Sequence, residues 1–186
     1  MRVIAGKYKG RRLNSPDNYD IRPTSDKAKE ALFSILTPDI YGSRVLDLFA
    51  GTGSLGIEAL SRGAECCYFA DSSRAALNLI KSNLAHCEVE ETTKVLAGDY
   101  RKIITNLAAR IEDGIEEKFD IILLDPPYGK GLLEDALKMI SEGDILKNDG
   151  VIIAEHRKEE ELPDTTGRLN KEKERRYGIV KLSIYK

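Results

Sequence analysis

The sequence has no run of 18 uninterrupted apolar residues, so no membrane-spanning helix is expected in this chain of 186 residues. Its first 25 residues are polar and basic and lack an apolar central stretch, so no secretory leader is expected either. Cysteine is scarce and odd in number: Cys66, Cys67 and Cys87 match no zinc spacing, and Cys66 and Cys67 are neighbours inside an apparent strand, pointing to opposite faces. That pattern fits a reduced, cytoplasmic interior. Two histidines, His86 and His156, are too few for a metal cluster, so no metal is expected and solvated or capping roles are assigned to both. Net charge is small as well, at −2, which on average argues against a strong nucleic-acid binder.

The distribution of charge says otherwise. Residues 1–30 carry eight Lys/Arg against four Asp/Glu, and the remainder is net acidic. Arg2, Lys7, Lys9, Arg11 and Arg12 fall within twelve residues that contain no acid, and Arg22 follows shortly after. Such an asymmetry marks a surface for polyanions. The 41% hydrophobic content and the length suit one domain over residues 1–186, with a basic extension at 1–24 and a core at 25–186.

Periodicity organises the core. Val3, Ile4, Tyr8 and Leu13 around Gly6 and Gly10 read as a short hairpin over residues 2–13. Ala28, Ala31, Leu32, Ile35 and Leu36 have helical spacing over 25–36, capped by Thr24 or Ser25 and stopped by Pro38. Strands at 45–49, 66–70, 94–97, 119–124 and 151–155 then alternate with helices at 54–62, 73–86, 100–111 and 132–142. Residues 179–185 alternate apolar and polar, as an edge or antiparallel strand does, and residues 156–176 receive no role. Repeated alternation implies a mostly parallel sheet covered on both faces. Ligands on such sheets lie beyond the carboxyl ends of the strands, so the chemistry is sought in the loops after 49, 70, 97 and 124.

The loop after residue 124 is the most telling. Asp125-Pro126-Pro127-Tyr128 ends the apolar run Ile121-Ile122-Leu123-Leu124. An exocyclic amino group on a nucleobase is a poor nucleophile, because its lone pair is delocalised into the ring. Asp125 and a proline-restricted carbonyl can accept its N–H bonds, and Tyr128 can supply a face to stack on. The loop after residue 49 holds Gly51-Thr52-Gly53-Ser54-Leu55-Gly56, which matches the dinucleotide fingerprint, with Asp71 twenty residues after Gly51. Asp47, just before this turn, would repel a pyrophosphate. Asp47, Asp71 and Asp99 around a glycine-rich turn suit a cationic nucleoside cofactor, S-adenosylmethionine, better than an anionic one. In that reading Asp71 accepts from the ribose hydroxyls and Asp99 from the adenine amino group. Each could instead cap a helix, Asp71 the one beginning near Ser73 and Asp99 the one beginning at Tyr100.

Together these segments carry a resemblance. Leu46 to Ala64 (L-D-L-F-A-G-T-G-S-L-G-I-E-A-L-S-R-G-A) with D-P-P-Y resembles the class I methyltransferases that act on exocyclic amino groups. R-P-T-S-D-K-A-K-E-A-L-F-S-I-L from Arg22, the opening R-V-I-A-G-K-Y-K-G-R-R-L and the ending Y-G-I-V-K-L-S-I-Y narrow it to the RsmD family, which methylates N2 of a guanine in bacterial 16S ribosomal RNA. The resemblance implies a Rossmann-like sheet of seven strands with a short N-terminal hairpin. It implies S-adenosylmethionine held by Asp47, Phe49, Gly51, Gly53, Asp71, Asp99 and Asp125, with catalysis by Asp125, Pro126, Pro127 and Tyr128. The implied partner is 16S rRNA in the small ribosomal subunit or its assembly intermediate, bound through the basic extension by a monomer. In the family Glu often stands where this chain has Asp71, and Phe often where it has Tyr128, so the Tyr128 hydroxyl is expected to be dispensable. The rival readings are an adenine-N6 or other amino methyltransferase on DNA or another RNA, a nicotinamide-dependent oxidoreductase, and a non-catalytic RNA-binding factor.

Overall fold

Val45, Leu46, Ile121, Ile122, Leu123, Leu124, Ile152 and Ile153 are all at most 1% exposed, the burial expected of parallel strands covered on both faces. They form the middle of the sheet in the computed structural model, which describes residues 1–15 and 26–186. In chain order the elements are α1 (Asp26–Leu36), β1 (Arg44–Asp47), α2 (Ser54–Ser61), β2 (Cys66–Asp71), α3 (Arg74–Cys87), β3 (Thr93–Ala97), α4 (Tyr100–Glu112), β4 (Phe119–Leu124), α5 (Leu132–Gly143), β5 (Leu146–Arg157), β6 (Thr165–Thr166), β7 (Leu169–Tyr177) and β8 (Val180–Tyr185). Strand order is β3-β2-β1-β4-β5-β8-β7-β6. The first five of these are parallel neighbours, and β8 and β7 add antiparallel.

The expected architecture is present, with corrections at the margins. Beyond the seven strands expected, the sheet has an eighth, the two-residue β6. The strand at 180–185 is antiparallel, one of the two expected alternatives, and not an edge: it lies between β5 and β7, and residues 156–176 supply the end of β5, all of β6 and most of β7. His156 is neither solvated nor a cap. It is fully buried, between the Ser183 hydroxyl at 2.9 Å and the Arg157 carbonyl at 3.1 Å, and burial lowers its pKa.

Two apolar layers sandwich the sheet. One joins α1, α2 and α3 to residues of β1, β4, β5 and β8; the other joins α4 and α5 to the opposite face. Cys67 belongs to the first and Cys66 packs on the second, as strand alternation requires. In α1 the buried face is Ala28, Lys29, Leu32, Phe33 and Leu36, rotated from the expected stripe, with Ala31 and Ile35 only half-buried.

Lys29 explains the rotation. Its Nζ lies 3.3 Å from the Glu58 carboxylate, 2.7 Å from the Arg2 carbonyl and 3.1 Å from Ser54 Oγ, with Lys29 and Glu58 both wholly buried. Glu58 also accepts from the Ile4 and Ala5 amides at 2.8 and 3.0 Å and from Arg62 Nε at 2.8 Å. The basic extension is therefore bolted to α2 through its backbone. Gly6 completes the joint, since a Cβ there would sit 1.8 Å from the Ser61 carbonyl. The expected hairpin reduces to one antiparallel bridge, Arg2 to Arg12.

Candidate active site

The parallel strands β1, β2, β3 and β4 end at one rim, and their carboxyl-terminal loops line a cavity of about 730 Å³. Asp47, Phe49, Gly51, Asp71, Asp99, Asp125, Pro126, Pro127 and Tyr128 all face it. Gly53 does not line it. It caps α2 at φ 78°, a left-handed conformation that glycine adopts without strain, and lets the chain turn from the cavity into the helix. At Gly56, one turn on, a Cβ would come within 2.6 Å of Cys67 Sγ and 2.3 Å of the Phe69 ring. Glycine there lets α2 lie close against β2.

Asp47 is 1% exposed at the end of β1. Its Oδ2 accepts from the Gly56 amide at 3.0 Å, while Oδ1 has no partner among the described residues. Burial, reinforced by the charges of Asp125 and Asp71, pushes its pKa up to about 7. An orphaned buried acceptor of this kind waits for a donor, and a cationic one satisfies it best. This fits S-adenosylmethionine, which carries an ammonium and a sulfonium, and is at odds with a pyrophosphate. Because the folded state holds its proton to higher pH than the unfolded chain, Asp47 costs stability as pH rises from about 4 to about 7. Asp47→Asn is expected to stabilise the free protein at pH 8 by on the order of 2–4 kcal/mol and to leave it nearly unchanged at pH 4. Urea melts at the two pH values check this. Equal effects at both would contradict it.

Asp71 ends β2 and each of its oxygens already serves the backbone. Oδ2 accepts from the Gly51 amide at 2.9 Å and Oδ1 from the Ser73 amide at 2.8 Å. A carboxylate oxygen has a second lone pair, so Asp71 can both fix the glycine turn and meet a ribose hydroxyl. The N-cap of α3 is Ser73, not Asp71. Asp99 is the N-cap of α4, accepting from the Arg101 amide at 2.9 Å, and it lines the cavity at the same time. Capping and a place on the cavity wall thus coincide at Asp99 rather than compete. Phe49 stacks obliquely on Tyr100, ring centres 5.2 Å apart, and both rings wall the cavity.

The Asp125–Tyr128 tip closes the same cavity. Its neighbour on β5 is one the sequence reading passed over. Register pairs Leu124 with Ala154, which brings Glu155 beside Asp125. Glu155 is 3% exposed; its Oε1 accepts from the Tyr128 hydroxyl at 2.9 Å and its Oε2 has no partner among the described residues. Burial and the charge of Asp125 raise its pKa well above the carboxylate range. The Tyr128 hydroxyl, expected to be dispensable, therefore has a defined partner. Tyr128→Phe is expected to cost about 1–2 kcal/mol in stability, by stripping a buried acceptor of its donor, with turnover reduced far less. Urea unfolding and single-turnover rates separate the two; an unchanged midpoint would refute it. The signal for Glu155 was present as a charged residue in phase with Val151 and Ile153. Arg157, Tyr100 and Met1 also line the cavity and had no such signal.

Of the basic residues assigned to RNA, Arg2 pairs with Asp26 at 3.3 Å, and Arg11 reaches the His86 carbonyl at 3.2 Å and Glu88 at 3.8 Å. Arg11 and Lys7 lie against the Tyr8 ring. Lys9 and Arg12 are exposed. Arg22 falls outside the described residues, as do Thr24 and Ser25, the expected caps of α1. Among the described residues no group of three or more His, Cys, Asp or Glu is placed to hold a metal ion, and no helix is long and apolar enough to cross a membrane.

Residues 1–186 match the family model described as "Conserved hypothetical protein 95", the model of the RsmD proteins. The chain belongs to the RsmD family. YlbH of Bacillus subtilis is 44% identical over all of this chain and 98% of its own length. Ribosomal RNA small subunit methyltransferase D of Haemophilus influenzae is 36% identical, covering all of this chain and 93% of its own. The solved chain of yhhF from Escherichia coli superposes with a TM-score of 0.84 at 29% identity, over 100% of this RsmD-family chain and 96% of that one. The Rossmann-like class I methyltransferase fold is therefore common to them.

Proposed function

We propose that this chain transfers a methyl group from S-adenosylmethionine to the exocyclic N2 amino group of a guanine in the 16S RNA of the small ribosomal subunit. One observation carries the reading: the Asp125-Pro126-Pro127-Tyr128 tip and the three carboxylates Asp47, Asp71 and Asp99 line a single cavity. A methyl donor and a flat amino-bearing base can therefore meet inside it. Family membership and the printed name of the Haemophilus relative support ribosomal RNA as the substrate.

Bound S-adenosylmethionine would supply a methyl carbon on a positively charged sulfur, the carbon–sulfur bond breaking with its electron pair left on sulfur. The chain's own residues do the rest. Asp47 answers positive charge with its unpartnered Oδ1, Asp71 meets the ribose, and Asp99 meets the adenine edge. Asp125 and the Pro126 carbonyl accept the two N–H bonds of guanine N2, which aims the nitrogen lone pair at the methyl group, and positioning of this kind supplies much of the acceleration. Pro126 and Pro127 hold that tip rigid. Tyr128 gives the base a ring to stack on. Deprotonation before attack is excluded by the high amino pKa, so the proton leaves during or after transfer, to Asp125 or to water.

Labelled methyl transfer to small subunits lacking the modification, with free 16S RNA, tRNA and DNA alongside, tests the substrate class. Label in 16S RNA is the expected result. Label on DNA alone would replace this reading with that of a DNA amino methyltransferase.

A further inference from the structure

The antiparallel end of the sheet places a second group of cations beside the catalytic tip. β5 runs past the tip to Arg157, and the β7–β8 turn, Gly178 and Ile179, reaches back to the same end, its Ile179 carbonyl accepting from the Lys158 amide at 3.1 Å. Register aligns Arg157, Val180 and Tyr177 in one row across the three strands, and Glu155, Leu182 and Arg175 in the next but for the pleat. Alternation fixes their face. Val151, Ile153 and Leu182 belong to the α1–α2–α3 layer and Tyr177 packs against it, so Arg157 and Arg175 lie on the side of the sheet that carries the N-terminal extension.

Arg157 is exposed, lines the cavity, and has its guanidinium 5.4 Å from the centre of the Tyr128 ring. Arg175 is exposed, and neither arginine forms an ion pair among the described residues. The nearby acids are engaged elsewhere: Glu159 with Lys158 at 3.6 Å, Glu174 with Lys181 at 2.8 Å, and Glu160 with the Gly129 amide at 2.7 Å. A guanidinium braced on an aromatic ring is pre-organised to present its planar fork to an oxyanion. Met1, from the extension, lines the same cavity as Arg157. A polyanion entering the mouth thus meets Arg157 as well as the extension, and Arg175 lies two strands further across the same face.

We propose that Arg157 and Arg175 form a second RNA-backbone contact, with Arg157 receiving the phosphate next to the target nucleotide and Arg175 a phosphate further along the strand. The extension then need not hold the RNA alone; the target nucleotide is pinned from two sides of the mouth. This rests on the proposed function above.

The test compares wild type, Arg157→Gln, Arg157→Lys, Arg175→Gln and Lys138→Gln for binding of 16S RNA across a salt series and for binding of S-adenosylmethionine. Lys138 is an exposed lysine on α5 and serves as the control. Arg157→Gln and Arg175→Gln are each expected to weaken RNA binding roughly threefold to tenfold at physiological salt and to lower the logarithmic salt slope by about 0.7–0.9. Arg157→Lys keeps the slope, and cofactor affinity stays constant in all. The proposal is overturned if the glutamine variants keep the wild-type slope, if Arg157→Lys loses it as Arg157→Gln does, or if Lys138→Gln loses as much. A wild-type enzyme that fails to methylate 16S RNA would instead remove the functional reading itself.

Discussion

Asp125→Ala is expected to lower the methyl-transfer rate by roughly 10²- to 10³-fold, the cost of losing one oriented acceptor at a reacting centre. Cofactor affinity should change by no more than about threefold, because an interaction made with the reacting amino group appears in kcat and kcat/KM together rather than in ground-state binding. The geometry behind this is specific. Asp125 directly follows β4, a strand at the centre of the sheet, and shares the cavity with Asp47. Its charge raises the pKa of both Asp47 and Glu155, so its removal also relaxes two buried carboxyls. The variant should therefore remain folded while turning over far more slowly. Single-turnover rates, cofactor titration and a urea melt measure the three quantities. Near-full turnover with intact cofactor binding would remove Asp125 from the chemistry.

The largest stability effect is expected at Glu58. Glu58→Ala leaves the Lys29 ammonium buried without its counter-charge, frees Arg62 and takes the acceptor from the Ile4 and Ala5 amides. Removing one partner of a buried pair costs on the order of 3–5 kcal/mol. Burial already lowers the Lys29 pKa against the pull of Glu58, and without Glu58 that shift must deepen. The consequence is more than a softer core. Lys29 Nζ also bonds Ser54, the first residue of α2 after the glycine turn, and the Arg2 carbonyl of the extension. Amide exchange at Ile4 and Ala5 should rise to near-unprotected rates in the variant at temperatures where the central strands remain protected. A loss below about 1 kcal/mol, or retained protection at Ile4 and Ala5, would show that the extension is anchored by other contacts.

The sequence already contained most of the parallel half of the sheet and most of the cavity wall, for a physical reason. Strands buried on both faces read as apolar runs, and turns that must approach a ligand read as glycine and acid clusters; Ile121–Leu124 before Asp125 and Gly51–Gly56 after Asp47 carry both signals. The antiparallel half was less legible. β7 is exposed along most of its length, so Lys171 to Arg176 show only charge, which is also what a solvated loop shows. Lys29 and Glu58 were hidden because a buried ion pair has no sequence period of its own. Lys29 simply occupies a helical position in phase with Phe33 and Leu36, and its partner lies on another helix. The Glu155–Tyr128 hydrogen bond depends on β4–β5 register, which neither strand encodes alone.

Guanine N2 in small-subunit RNA is the proposed methyl acceptor at the Asp125–Tyr128 tip. The most direct test is nucleoside mass spectrometry of 16S RNA from a strain lacking its own enzyme of this family, complemented with either this chain or its Asp125→Ala variant. The expected result is N2-methylguanosine restored at one position by the wild type and absent with the variant. Methylation appearing on an adenine, or N2-methylguanosine produced equally by both chains, would contradict it.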